Sequence, residues 1–213
     1  MGLFQNRPEV SAPINYITVG LNKTVLLVGL GNPGQEYTGT RHNIGFDSID
    51  NFVAKNSEMS SWINKKDLKA HLSSGQIGQS RVIAIKPTTF MNLSGEAVLA
   101  TMQFYKIPLE HVVIIHDELD IDFGHIRTRN GGTSAGHNGI KSITELVGEE
   151  TGRIRIGIGP KKPAQIDSSD FVLGTFTAKE IKELPNLSRE VNAILSEFIY
   201  GTKLPVETRS FLI

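Results

Sequence analysis

Residues 25–45 read VLLVGLGNPGQEYTGTRHNIG, and this stretch contains the pattern that decides the fold. Its first six residues form a short apolar run, and similar runs follow at 82–85 (VIAI) and 112–115 (VVII). Short runs rich in β-branched residues are typical of strands that are buried on both faces of a sheet. The sequence therefore predicts three central strands.

Helical patterns lie between and after these strands. Apolar residues recur three or four positions apart at Phe46, Ile49 and Val53, at Val98, Met102 and Tyr105, and at Ile140, Ile143 and Val147. Further on, Thr177 and Glu180 have the spacing of a capping box, and another amphipathic helix is expected between Pro185 and Gly201. Strands that alternate with helices predict an α/β fold.

The composition limits the possible functions. The 213 residues include no cysteine, which excludes disulfides, thiolate metal sites and cysteine nucleophiles and fits a reducing cytosol. Lysine plus arginine equals aspartate plus glutamate, 22 against 22, so any nucleic-acid binding must depend on local clusters. No stretch approaches the ~20 apolar residues of a membrane span. Residues 1–23 lack the features of a secretory signal, and we expect them to form a flexible or loosely docked arm ahead of one domain at 24–213.

The segment GLGNPG after the first strand matches the GxGxxG dinucleotide fingerprint literally. In nucleotide-binding proteins a helix starts at these glycines, so that its N-terminus faces the pyrophosphate. Here the chain continues as PGQEYTGTRHN, whose proline and glycines predict a loop. A nucleotide-dependent oxidoreductase is therefore disfavoured. Asn32 remains a candidate ligand-binding residue because it follows a central strand, although a plain turn residue beside Pro33 is the alternative.

A histidine and an aspartate are candidates for acid–base chemistry. The segment TRHNIG predicts that His42 lies in the first turn of a helix, where the helix dipole disfavours imidazolium and the ring is suited to accept a proton. A histidine that only caps or packs the helix start is the alternative. Asp117 follows a central strand and could orient that ring. Glu118, Asp120 and Asp122 lie in the same segment, and the residues alone do not choose among the four acids.

Two further segments bring amide side chains to predicted junctions between a loop and a helix. KPTTFMNLSG follows the second strand and contains Phe90, Met91 and Asn92, whereas GGTSAGHNGIK delivers His137 and Asn138 to another helix start. A helix cap at Asn92 and a simple glycine turn are the structural alternatives. Three asparagines near one histidine and one aspartate nevertheless indicate a hydrolytic site, with amides placed for a carbonyl and a water.

Six blocks in order, GLGNPGQEYTGTRHNIGF, KPTTFMNLSG, HDELD, GHNGIKS, RIRIGIG and FVLGTF, closely resemble the bacterial-type peptidyl-tRNA hydrolase family. The resemblance implies a cytoplasmic, monomeric enzyme that hydrolyses the ester bond of peptidyl-tRNA in translation and ribosome rescue. It also implies one globular α/β domain, with a twisted, mixed, mostly parallel sheet flanked by helices, and no metal or organic cofactor. The alternative is a binding protein on the same scaffold that has lost catalysis.

The resemblance also implies roles for individual residues. In that family the histidine matching His42 activates the hydrolytic water, and the aspartate matching Asp117 supports it. The asparagine matching Asn32 helps to distinguish substrates with a blocked amino group, and those matching Asn92 and Asn138 hold the peptide main chain or water. The positions that line the substrate crevice match Tyr37, Phe90 and Met91.

Basic residues near RIRIGIG, residues 153–159, are the candidate phosphate contacts. The alternation predicts a half-exposed strand with the isoleucines on one face. The resemblance implies that this region binds acceptor-stem phosphates, with four candidates at Arg127, Arg129, Arg153 and Arg155. Arg129 and Arg155 are favoured, and Lys161 and Lys162 are weaker candidates. A solvated strand edge is the alternative.

Overall fold

The computed structural model describes residues 23–161, 163–201 and 203–212. These residues form one eight-stranded sheet with flanking helices. The strands are β1 (Thr24–Gly29), β2 (Ile63–Lys65), β3 (Ala70–Ile77), β4 (Ser80–Pro87), β5 (Val112–Asp122), β6 (His125–Asn130), β7 (Gly152–Gly159) and β8 (Thr208–Ser210). Their order across the sheet is β2-β3-β4-β1-β5-β7-β6-β8. The three predicted central strands are confirmed as β1, β4 and β5.

Helices flank this sheet, as the α/β prediction requires. They are α1 (Ile44–Lys55), α2 (Ser94–Tyr105), α3 (Asn138–Val147), α4 (Ser168–Leu173), α5 (Ala178–Ile181) and α6 (Leu184–Tyr200). The three internal helical patterns are confirmed as α1, α2 and α3. The capping box of Thr177 and Glu180 is present at α5. Pro185 lies in the first turn of α6, where a missing N–H removes no helical hydrogen bond.

The sheet is mixed, as expected, but less parallel than expected. Among the described strands, β1 runs parallel to β4 and β5, and β5 runs parallel to β7. The other four neighbouring pairs are antiparallel: β2 with β3, β3 with β4, β6 with β7, and β6 with β8. Antiparallel strands thus extend both edges of a parallel centre, and the prediction of a mostly parallel sheet holds only for that centre.

The prediction that residues 153–159 form a half-exposed strand is wrong. They belong to β7, which lies between β5 and β6 and is buried along nearly its whole length. Its isoleucines pack into the apolar core, as the alternation predicted. The opposite face is also covered, since Arg153 is only 1% exposed. Alternation separates the two faces of a strand, but it does not reveal whether another part of the chain covers the polar face.

Apolar side chains cover both faces of the sheet. Within β1, Val25 and Leu27 belong to one buried cluster, whereas Leu26 and Val28 belong to the other. Successive side chains of a strand point to opposite faces, so a continuous apolar run supplies both clusters. This explains why the run at 25–30 predicted a central strand.

The start of α1 approaches the sheet closely enough to require glycine at residue 45. A Cβ atom built on Gly45 would lie 2.5 Å from the backbone nitrogen and oxygen of Leu30 and would also meet the backbone oxygen of Ile115. The Phe46 N–H donates to the Leu30 carbonyl at 3.1 Å, which fixes this contact. The atoms that Gly45 approaches belong to Leu30, just after β1, and to Ile115 of β5. The close approach therefore places the residues just before α1 over the carboxyl edge of the parallel strands.

Gly45→Ala is expected to lower the free energy of unfolding by about 1–3 kcal/mol, because the added methyl group overpacks against backbone that cannot move aside. Alanine is otherwise the better helix former, so the loss would occur despite a gain in helix propensity. Urea unfolding measures it. Ala54→Gly is the matched control in the exposed part of the same helix. A Gly45→Ala protein more stable than the parent would contradict the close approach.

Lys23 is the only residue of the expected arm at 1–23 that the structure describes. Its Nζ donates to the Phe198 carbonyl at 2.7 Å and to the Gly201 carbonyl, which lie in the last turn of α6 and just past its end. The rest of the arm lies outside the described residues.

None of the described helices is long and apolar enough to cross a membrane.

Candidate active site

A cavity of about 770 Å³ opens at the carboxyl edge of the parallel strands. Asn32 follows β1, Met91 follows β4, and Asp117 lies in β5, and all three line the cavity together with His42. The loop between β6 and α3 and one side of α4 complete the wall. The predicted strand ends therefore meet in one crevice, which is where open α/β sheets bind ligands.

His42 and Asp117 are in direct contact. His42 lies in a single 3-10 turn (Arg41–Asn43) just ahead of α1, rather than in the first turn of α1. Its Nδ1 is 2.8 Å from Asp117 Oδ1. Asp117 lies within β5, which continues past the end of β1, since Gly29 at the end of β1 pairs with Ile115. The Asp117 side chain therefore faces His42 beyond the point where the neighbouring strand has ended.

A second histidine contacts the same carboxylate oxygen. His137 Nε2 is 3.0 Å from Asp117 Oδ1. The other ring nitrogen, Nδ1, caps α3 by accepting from the backbone N–H groups of Gly139 and Ile140, at 3.1 and 3.3 Å. A nitrogen that accepts two N–H bonds carries no proton, so the proton of the neutral His137 ring is on Nε2 and is donated to Asp117. The helix cap thus fixes the tautomer of His137.

Asp117 is held in its ionised form. Burial alone would raise the pKa of its carboxyl, but electrostatic attraction and a hydrogen bond from His137, followed by those from His42, outweigh burial and hold this pKa well below its usual range. A carboxylate can only accept hydrogen bonds, so both histidines donate to it. His42 therefore carries its proton on Nδ1, and its Nε2 makes no hydrogen bond to any described residue.

A third histidine lies behind the pair. His116 is 1% exposed, and its Nδ1 is 2.6 Å from the backbone carbonyl of Asp117. Its ring packs edge-on against His137, with 4.8 Å between the centroids. Burial first, and the neighbouring His137 second, lower the pKa of His116 well below its ordinary value. His116 is thus a neutral packing group that supports the arrangement.

Hydrogen bonds to Met91 and Asn43 orient Asn32. Its Oδ1 accepts from the Met91 N–H at 2.8 Å, so its Nδ2 is the donor left for the cavity. Asn43 fixes the Asn32 backbone, because its Oδ1 accepts from Asn32 N at 2.8 Å and its Nδ2 donates to Asn32 O at 3.0 Å. The residue after His42 therefore couples the histidine turn to the first asparagine.

Four of the other predicted pocket residues line the cavity around this centre, whereas Tyr37 is not among the lining residues. Asn92 and Asn138 are exposed, line the cavity and form no side-chain hydrogen bond with the described residues. The helix-cap alternative for Asn92 is not what the structure has, since no side chain caps α2. Phe90 is 54% exposed and forms an edge-on pair with Tyr37, with 6.4 Å between the ring centroids. Met91 is buried beneath the cavity.

Four arginines meet on one face of β6 and β7. Arg127 pairs with Arg155 and Arg129 pairs with Arg153 across the two strands. Like charges directly opposite each other are unfavourable. Burial first, and the charges of Arg129 and Arg155 next, lower the pKa of Arg153 to about 10. Burial and the charge of Arg129 also lower the pKa of Arg155, against the opposing charge of Glu118. This concentration of positive charge is suited to an anion.

The four arginines are not equally available. The prediction that Arg153 contacts phosphate is corrected. Arg153 is 1% exposed and donates to the Thr133 carbonyl at 2.7 Å, so it is too deeply buried for a phosphate contact. Arg129 is partly buried and donates to the carbonyls of Gly131 at 2.6 Å and Thr133 at 3.1 Å. Both residues therefore hold the loop that carries His137 and Asn138. Arg127 is exposed, and the Arg155 side chain is 20% exposed, 3.8 Å from Glu118.

One of the two weaker basic candidates lies away from the four arginines. Lys161 Nζ donates to the Ile166 carbonyl at 3.2 Å and to Ser168 Oγ at 3.1 Å, so it already supports the start of α4 and does not add to the arginine face. The other candidate, Lys162, lies outside the described residues.

His42, Asp117 and His137 also have the spacing of a metal site, because their ligand atoms lie within 4.8 Å of one another. The donor set does not fit that use. A metal on His137 Nε2 would leave the proton of the neutral ring on Nδ1, where it would oppose two backbone N–H groups. The arrangement instead suits a hydrogen-bonded proton network centred on Asp117.

The sequence did not reveal the second contact of Asp117 or the role of Asn43. One signal could have found both. The dipeptide His-Asn occurs twice, at 42–43 and 137–138, and each copy stands immediately before or at the start of a helix. His116, adjacent to Asp117 in HDELD, carried no signal apart from this position.

Most of the chain is similar to known proteins. Residues 26–209 match the family model described as peptidyl-tRNA hydrolase. Peptidyl-tRNA hydrolases of Rickettsia bellii and Rickettsia prowazekii are 46% and 41% identical over 156 and 175 residues, which cover 73% and 80% of this chain and 83% and 93% of theirs. The crystal structure of peptidyl-tRNA hydrolase from Acinetobacter baumannii is 34% identical, covers 85% of this chain and 91% of that chain, and has a TM-score of 0.76.

Proposed function

The chain belongs to the peptidyl-tRNA hydrolase family, and we propose that it hydrolyses the ester bond between a peptide and its transfer RNA with His42 as general base. It is an ester hydrolase of this substrate class. One observation carries the proposed mechanism: His42 Nδ1 lies 2.8 Å from the ionised Asp117 carboxylate, so that in the neutral ring Nε2 is the unprotonated nitrogen, and His42 lines the cavity.

In the proposed reaction, His42 Nε2 takes a proton from water while the water oxygen attacks the peptidyl carbonyl carbon. The bond between that carbon and the oxygen of the terminal ribose then breaks. The proton passes from His42 to the ribose oxygen, so that the free tRNA and the peptide acid are released. Asp117 stabilises the imidazolium that exists between these steps and keeps the ring in the productive tautomer.

The amide groups supply the positioning. Asn32 Nδ2 is the donor that its contact with Met91 leaves available, and it is suited to a carbonyl of the peptide. Asn92 and Asn138 line the cavity with amides that form no side-chain hydrogen bond to a described residue, and these amides are suited to peptide main chain or water. His137 cannot serve as the base, because its only lone pair caps α3. Its role is to hold Asp117 through the same carboxylate oxygen that His42 contacts.

The substrate preference is tested with matched transfer RNAs. Purified protein is incubated with an N-acetylated aminoacyl-tRNA and, separately, with the same aminoacyl-tRNA left unblocked. We expect rapid release from the blocked substrate only, because Asn32 and its neighbours bind an amide group. No release from either substrate would favour the alternative of a binding protein that has lost catalysis, and equal release would refute the preference.

The arginine face is proposed to bind acceptor-stem phosphates through Arg127 and Arg155. Arg129 instead holds the loop between β6 and α3 through its hydrogen bonds to two loop carbonyls. Arg127→Ala and Arg155→Ala are expected to raise KM with little change in kcat, because phosphate contacts are electrostatic and distant from the ester. Each lost contact should reduce the slope of log affinity against log salt by about 0.7–0.9. Arg189→Ala, an exposed arginine on α6, is the control and should leave the slope unchanged. Parental slopes in both face variants would exclude this phosphate contact.

The monomeric state, the cytoplasmic location and the role in ribosome rescue stay predictions.

A further inference from the structure

The residue before His42 ties the histidine turn to a distant part of the chain. Arg41 is 7% exposed, and its backbone N–H donates to the Gly174 carbonyl at 2.9 Å. Its Nη1 donates to the Thr175 carbonyl at 2.6 Å, and its Nη2 contacts Glu180 Oε2 at 2.9 Å. Three hydrogen bonds therefore fix the backbone and side chain of Arg41, and through them the start of the turn that carries His42.

Two aromatic rings contact the Arg41 guanidinium. Its central carbon is 4.5 Å from the centroid of the Phe171 ring and 5.3 Å from that of Phe176. Phe171 belongs to α4, whose Val172 and Leu173 line the cavity. A planar guanidinium can donate to two partners in a fixed geometry while it lies over an aromatic ring, whereas an ammonium is a compact point donor, so arginine is required for the full set of contacts.

Glu180 connects this anchor to the next helix. The same Oε2 that accepts from Arg41 also accepts from the Thr177 N–H at 2.7 Å, and Thr177 Oγ1 accepts from the Glu180 N–H at 3.3 Å. One carboxylate oxygen thus serves the ion pair and the capping box of α5 at once. The Glu180 side chain is only 19% exposed, so solvent weakens the pair less than it weakens a surface ion pair.

We propose that Arg41 and Glu180 form a positioning pair that holds the His42 ring on Asp117, so that loss of the pair lowers kcat although neither residue lines the catalytic cavity. The inference rests on the proposed role of His42 as base. A small displacement of a catalytic group can cost up to ~10²-fold in rate, so the His42 turn needs a rigid anchor. Arg41 supplies it from the side of the turn that faces α4 and α5.

The test compares three variants of the whole chain. Glu180→Ala removes the carboxylate and is expected to lower kcat by about 10-fold or more, with KM little changed. Glu180→Gln keeps an acceptor oxygen for Arg41 and Thr177 and should recover most of the loss. Thr177→Val is the matched control, because it removes the hydroxyl half of the capping box and leaves the ion pair intact, and its kcat should equal that of the parent.

A spectroscopic reading separates positioning from general stability. The proton NMR resonance of His42 Nδ1–H, which the hydrogen bond to Asp117 shifts downfield, should be lost or broadened in Glu180→Ala and retained in Thr177→Val. If Glu180→Ala unfolds, Arg41→Lys gives the same test, since lysine cannot donate to Thr175 and Glu180 in the same geometry.

Two results would overturn the positioning pair. One is a kcat of Glu180→Ala equal to that of Thr177→Val, and the other is a reduced kcat with an unchanged His42 resonance. Parental activity in His42→Ala would be a different failure, because it would remove the proposed function itself.

Discussion

His42→Ala is expected to lower kcat by about 10²-fold or more while the protein stays folded. The ring has an ionised partner at Nδ1 and an Nε2 to which no described residue forms a hydrogen bond, and alanine leaves no base in its place. KM should change little, since the peptide and phosphate contacts lie on other residues. Steady-state kinetics with an N-acetylated aminoacyl-tRNA measures the effect.

His71→Ala is the matched control for this experiment. His71 is exposed on β3, close to the sheet edge and outside the cavity lining, so its loss should leave kcat unchanged. A near-UV spectrum like that of the parent would show that the His42 variant keeps its tertiary packing. Parental turnover in His42→Ala would rule out the histidine as base.

Asp117→Asn is expected to have the largest effect, a loss in kcat of about 10³–10⁴-fold, because the neutral amide no longer stabilises the imidazolium that His42 forms. His137 must donate through Nε2, since its Nδ1 caps α3, and this turns the amide oxygen toward His137. His42 Nδ1 contacts the same oxygen position, so His42 also donates to the amide oxygen. The tautomer of His42 is therefore kept, and the loss comes from the missing negative charge.

The full pH profile of kcat tests this explanation. A low rate is expected across the profile, since raising the pH does not restore a negative charge at residue 117. Asp120→Asn is the control, because Asp120 is exposed on the same strand and should keep the parental profile. An Asp117→Asn profile with the parental shape and rate would exclude this carboxylate from the mechanism.

The central strands and the crevice were within reach of the sequence, because buried parallel strands have a simple signature. The run at 25–30 is apolar on both faces, and its carboxyl end marks the ligand edge for Asn32. The antiparallel strands at the sheet edges had no comparable signature. β3 reads AHLSSGQI, with small and polar residues on a half-covered surface, and its pairing with β2 and β4 makes it a strand.

The candidate site was predictable in its members but not in its connections. Asp117 was chosen among four neighbouring acids by resemblance, and the physical reason for its placement is the unequal length of β1 and β5, which no local pattern encodes. Arg153 looked like a surface cation because its strand alternates. Its burial depends on the loop at residues 131–136, where it donates to the Thr133 carbonyl. Contacts that span long sequence distances, such as Arg41 with Glu180, are likewise not encoded in local periodicity.

The central claim is that one carboxylate holds two histidines in opposite tautomers and so leaves His42 Nε2 as the base. Nitrogen-15 NMR of the imidazole rings of the free protein at neutral pH tests it directly, with the signals assigned by replacing each of the six histidines in turn. We predict a proton on Nδ1 of His42 and on Nε2 of His137. A His42 ring protonated on Nε2, or a His137 ring protonated on Nδ1, would contradict the account.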